Sequence, residues 1–175
     1  ATWIQDTLQF ETSNLASHAG KKAILDFDGK DDYINIPRFH YDGSHPLTIE
    51  MILERKETIH EQIPVSARLL GLGNAPSLQI MSDGMLRFGG RAKDDFIYFL
   101  YSDPLPVGKP VYVKASYDGH RMQMWIDGVR VQNPTYRAGD PEQGFSPTNA
   151  TIEFNDRFPR THSYVGTTPP ASWGV

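Results

Sequence analysis

Residues 117–131 read YDGHRMQMWIDGVRV. Met122, Met124 and Ile126 alternate with Gln123 and Trp125, the period-two pattern of a strand that buries one face. Two Asp-Gly pairs, Asp118-Gly119 and Asp127-Gly128, bracket that strand. Both residue types tolerate the positive φ that a tight antiparallel turn demands, so each pair predicts a chain reversal. Just upstream, PVYVKASY at 110–117 places Val111, Val113, Ala115 and Tyr117 on one face and Tyr112 and Lys114 on the other. The whole stretch predicts consecutive antiparallel strands.

The same grammar extends outward. LTIEMILER at 47–55 puts Leu47, Ile49, Met51 and Leu53 on one face, with Thr48, Glu50, Ile52 and Glu54 opposite. AILDFDGKDDYINIP at 23–37 reads as two short segments, AILDFD and YINIP, reversing around Gly29. RLLGLG, SLQIM and MLRFGG follow, separated by turn formers at Asn74-Ala75-Pro76 and Ser82-Asp83-Gly84. DFIYFLY at 95–101 is apolar on both faces, which predicts that both are covered. Residues 133–150, rich in Pro, Gly and Asn, are expected to form a long loop, and TIEFN and SYVG two last strands. About ten to twelve short strands with regular turns and no long helical pattern predict an all-β, two-sheet antiparallel β-sandwich. No linker or internal repeat divides residues 1–175, so one domain is expected.

Composition narrows the function. The net charge is −4 and no basic run is present, which argues against nucleic acid as a partner. No apolar run approaches the length of a membrane span. Cysteine is absent, removing disulfides, thiolate nucleophiles and zinc–thiolate sites. The six histidines are scattered without metal-ligand spacing, and no Gly-x-Ser-x-Gly marks a nucleophile elbow.

Taken in order, Phe27-Asp28-Gly29, Asp31-Asp32-Tyr33, Thr48-Ile49-Glu50 and Tyr117-Asp118-Gly119 through Asp127-Gly128 form a pattern over roughly residues 23–132. It resembles that of laminin-G-like modules of the concanavalin A-like jelly-roll superfamily. The resemblance implies a jelly roll exported to the extracellular space or cell surface as part of a larger protein. The closing strand typical of such modules is not found after Gly166, so a fragment of a larger chain is expected. A neighbouring strand edge would then be left to pair with another chain or domain.

The resemblance admits several activities, which the residues weigh. Hydrolases of the superfamily carry a Glu-x-Asp-x-x-Glu pattern. The nearest match is Glu50 and Glu54 with Ile52 between them, so no catalytic residue is assigned and a hydrolase is the least favoured reading. Related modules often hold a structural calcium ion, and Asp28, Asp31 and Asp32 supply hard oxygen ligands near Gly29. The same aspartates also suit a turn in which they cap backbone N–H groups. Carbohydrate sites combine an aromatic platform with planar polar groups. Trp125, Gln123, Tyr112, Lys114, Arg87 and Glu50 fall on non-core faces, as does Gln79, and make such a surface if their strands share one sheet. Residues 1 to about 22 read as an entry strand or arm, and cover of Trp125 by that arm or by residues 133–150 would remove the surface. The sequence therefore predicts a non-catalytic recognition module that binds carbohydrate. The alternative is a protein-interaction or spacer module without a glycan site.

Overall fold

The computed structural model describes residues 33–36, 45–55, 67–71, 76–140, 144–154 and 163–166. They form twelve strands and no helix. β1 (Tyr33–Ile36), β3 (Ala67–Gly71), β4 (Ser77–Ile80), β5 (Met85–Arg91), β6 (Ile97–Pro104), β10 (Thr135–Asp140), β11 (Gly144–Thr148) and β12 (Ser163–Gly166) make an eight-stranded sheet, ordered β1-β12-β3-β4-β5-β6-β10-β11. β2 (Leu47–Glu54), β7 (Pro110–Tyr117), β8 (Met122–Ile126) and β9 (Val129–Arg130) make a four-stranded sheet in the order β2-β7-β8-β9. Every named pairing is antiparallel.

Alternation builds the core. Val111, Val113, Ala115 and Tyr117 of β7 are buried, as are Met122 and Met124 of β8 and Ile49 of β2. Facing them from the large sheet are Leu78, Ile80, Leu86, Phe88, Tyr98 and Leu100. These side chains form one continuous apolar cluster, with β8 lying against β5 and β6. Each fully buried Leu, Val or Phe contributes about 1.5–3 kcal/mol over its exposed state.

Three departures from the sequence reading have physical causes. Residues 133–150 are not a long loop: within them β10 pairs with β6, and β11 pairs with β10. Without β10, β6 would end the sheet with a row of unpaired backbone N–H and C=O groups, which another strand satisfies. β11 is the last strand at that end, the position in a sheet where a proline such as Pro147 is tolerated. In β6 the covering is one-sided. Tyr98, Leu100 and Ser102 are buried, whereas Ile97, Phe99 and Tyr101 are only half-buried. Of the described part of TIEFN, residues 151–154, only Phe154 makes a bridge, to Ala92. β1 pairs along its length with β12, while the AILDFD segment expected beside it lies outside the described residues.

Candidate functional site

The register of β8 against β9 is set by the tight turn between them. Asp127 (φ 50°) and Gly128 (φ 81°) both take left-handed conformations, the requirement of a two-residue primed hairpin turn. The turn pairs Ile126 with Val129 and therefore Trp125 with Arg130. It is tied to β7 as well: the Asp127 carboxylate accepts a bond from the Tyr112 N–H at 2.8 Å, and the Asp127 N–H donates to the Tyr112 carbonyl at 2.8 Å.

With that register, the outer face of the small sheet is a set of transverse rows. Glu50, Lys114, Trp125 and Arg130 stand opposite one another across all four strands. Thr48, Ser116 and Gln123 form the row on one side, and Ile52 and Tyr112 the row on the other. Lys114 Nζ lies 3.3 Å from Glu50 Oε1 and 5.7 Å from the centroid of the Trp125 ring. It thereby bridges the acid and the aromatic, a modest contact at an exposed site. Trp125 is half-buried, Tyr112 exposed, and Ile52 75% exposed. Desolvation and a hydrogen bond to Glu50 hold the Tyr112 phenol above its ordinary pKa, so it stays a neutral donor at physiological pH.

Five of the six expected binding residues, Trp125, Gln123, Tyr112, Lys114 and Glu50, thus share one face. Arg87 does not. It sits on β5 of the large sheet, between buried Leu86 and Phe88, and points away from the core on the opposite side of the sandwich. There its guanidinium donates to Gln79 Oε1 and lies 4.3 Å from the centroid of Phe99. Gln79 accompanies it and is buried. The alternation that placed Arg87 outward cannot say which sheet owns the strand. Asp28, Asp31 and Asp32, the expected calcium ligands, lie outside the described residues. Among the described residues, no three acidic or histidine side chains gather as a metal site.

Thr48, Ser116, Ile52 and Arg130 also belong to the face but were not among the expected binding residues. Arg130 was legible: a two-residue Asp-Gly turn fixes the pairs 126 with 129 and 125 with 130. The β2–β7 register has no such local determinant, since the two strands are far apart in sequence.

The carboxylates of the face are poorly placed for acid–base work. Glu50 is paired with Lys114, and Glu54 lies opposite Pro110, four residues along the strand and separated from Glu50 by exposed Ile52. An acid and a base flanking a bond within a groove are required for glycoside hydrolysis; this row is an open sheet surface.

No protein-family model matches the chain, and no curated protein is a significant match. Among solved structures, it is similar to the mouse laminin alpha1 chain, domains LG4-5. The TM-score is 0.53 at 20% identity, over 82% of this chain. The chain spans about a third of the length of that laminin fragment, 33%. The likeness and the two antiparallel sheets agree: this chain has the fold of a laminin-G-like module, an all-β two-sheet jelly-roll sandwich.

Proposed function

We propose that the chain is a non-catalytic recognition module that binds carbohydrate on the outer face of its four-stranded sheet. The observation that carries the reading is the row Glu50–Lys114–Trp125–Arg130, with Gln123 and Tyr112 beside it. A sugar ring offers an apolar C–H face and a rim of hydroxyls. The indole supplies the flat apolar partner, and the carboxylate, ammonium, guanidinium, amide and phenol supply directional donors and acceptors. The module serves a larger exported or cell-surface protein, in keeping with the laminin-like fold. A structural calcium ion held by Asp28, Asp31 and Asp32 belongs to the same proposal.

A glycan screen in calcium and again in EDTA tests it. Trp125→Ala is expected to weaken binding by about tenfold to a hundredfold while changing stability by no more than about 1 kcal/mol. A large fall in melting temperature instead would make Trp125 a packing residue and remove the platform. Binding lost in EDTA would direct attention to the three aspartates.

A second reading has its own observation. Ile52 is 75% exposed beside exposed Tyr112, a small apolar spot at one end of the face. A protein partner seated there would lose affinity with Ile52→Asp, whereas glycan binding over Trp125 would not change.

A further inference from the structure

The edges of the two sheets are not alike. β1 has four residues and β9 two, and β11 carries Pro147 and meets β10 across a register shift. Shortness, proline and bulges keep an edge from pairing with another chain. β2 has none of them. It runs eight residues, Leu47–Glu54, pairs with β7 without a register shift, and has no second neighbour among the described residues.

The groups that line this edge follow from β7. The N–H and C=O of Tyr112 both point toward β8, where they meet Asp127. Backbone groups of successive residues alternate sides. Val111, Val113, Ala115 and Tyr117 therefore bond β2, through Leu53, Met51, Ile49 and Leu47. The Arg55 carbonyl continues the series, accepting from the Gly108 N–H at 2.7 Å. The N–H and C=O of Thr48, Glu50, Ile52 and Glu54 are thus turned to the open edge. The core is also unfinished there. Val111, Val113, Ala115 and Tyr117 are buried, whereas Leu47, Met51 and Leu53, facing the same way from β2, are only half-buried.

We infer that β2 is a dimer interface. It pairs antiparallel with β2 of a second copy about a twofold axis at Met51, joining two four-stranded sheets into one continuous sheet. The strand is self-complementary in that register. On the core side Met51 faces Met51 and Ile49 faces Leu53, which covers half-buried positions. On the outer side Glu50 faces Ile52 and Thr48 faces Glu54, so no two carboxylates oppose. Moving the axis by one residue, to Glu50 or to Ile52, sets Glu50 against Glu50 or against Glu54, and like charges directly opposite destabilise a sheet. The open N–H and C=O groups of Thr48, Glu50, Ile52 and Glu54 then form about eight backbone bonds between the copies. The axis is perpendicular to the sheet, so both cores lie on one side and both outer faces on the other. The two Trp125 side chains stand five strand spacings apart, about 24 Å, and the dimer presents the outer face twice on one surface. Dimerisation requires no glycan, so its failure and the failure of carbohydrate binding are distinguishable.

Sedimentation equilibrium of the full chain in about 0.15 M salt, combined with amide hydrogen exchange at low and high concentration, tests the interface. A monomer–dimer equilibrium is expected, with the N–H groups of Glu50 and Ile52 protected in the dimer and exposed in the monomer. Ile52→Pro removes a donor that β7 does not use. It is expected to abolish the dimer with little change in melting temperature. Thr48→Glu, an exposed substitution, sets a carboxylate against Glu54 of the second copy and is expected to weaken dimerisation by about fivefold; Thr48→Lys is expected to tighten it by about as much. The Thr48 variants keep the test decisive if Ile52→Pro does not fold. Monomers at every concentration would overturn the interface. If such monomers protect Glu50 and Ile52 all the same, another segment of the chain occupies the edge and the second copy is excluded. A dimer that survives Ile52→Pro, or that has the same affinity with Glu and with Lys at position 48, forms through a different surface and also overturns the assignment.

Discussion

Tyr117 closes β7 with its hydroxyl inside the protein. The single phenolic proton has two acceptors, the carbonyls of Gly119 at 2.6 Å and Ile152 at 2.8 Å, while the oxygen accepts from the Phe154 N–H at 3.5 Å. One side chain therefore ties the β7–β8 turn to residues 152–154, and its ring stacks edge-on to Phe154 at 4.8 Å. Burial pushes its pKa up, so the donor is not lost in any ordinary buffer. Tyr117→Phe keeps the ring packing and leaves buried carbonyls without their donor. A loss of about 1–3 kcal/mol is expected by urea denaturation. Asp118, its neighbour, titrates in the other direction. Burial acts to raise its carboxyl, but the N–H groups and charges of His120 and Arg121 outweigh it and hold the pKa below the ordinary value. The unfolded chain then takes up the proton more readily than the folded one. The stabilisation is complete above the unfolded pKa and disappears as pH falls through the folded value. The stability difference between wild type and Asp118→Asn should be constant down to about pH 5 and shrink below about pH 4. A difference that does not vary with pH would show that the carboxylate charge plays no part. Both residues were readable as strand end and turn, but two of the partners of Tyr117, Ile152 and Phe154, lie 35 or more positions away and were not.

Within the large sheet, β5 and β6 approach each other at Gly89. It has φ 154°, and a Cβ there would stand 1.9 Å from the Tyr98 carbonyl oxygen. Backbone cannot move aside as a side chain can, so Gly89→Ala must push the two strands apart. A loss of more than about 3 kcal/mol is expected, at the severe end for single substitutions. Gly119 is the control: its φ is 103° but nothing lies within 4 Å of the position, so Gly119→Ala carries only the strained backbone, about 1–2 kcal/mol. Thermal melts that rank the two equally would refute the close-approach argument. The contrast shows what was legible at this scale. Both glycines sit in plausible turn or strand contexts, and the sequence cannot distinguish a strained glycine from a crowded one. The β7–β9 meander was legible because alternation and the Asp-Gly turns act locally. The β10–β11 hairpin was not, because strands at the margin of a sheet need neither strong alternation nor proline-free sequence.

The two sheets meet in one apolar cluster to which β2, β4, β5, β6, β7 and β8 all contribute. Phe88 is fully buried on β5, against the sheet that carries Met124. Phe88→Ala should cost about 3–5 kcal/mol and lower the midpoint of a single transition, since the cluster is shared. Two separate transitions would mean that the sheets unfold independently. The proposed binding surface is also a property of the whole. Trp125 lies outward because Met122 and Met124 are drawn inward, so the core creates the face by exclusion. The sequence by itself determined the all-β class, the inward and outward sides of β2, β7 and β8, and the pairing of Trp125 with Arg130, because side-chain alternation and turn chemistry operate over a few residues. Only the tertiary structure decided that Glu50 and Lys114 complete that row and that Arg87 lies on the far side of the sandwich. Those relations depend on which strands pair across long stretches of chain, and burial of the common core selects the pairing.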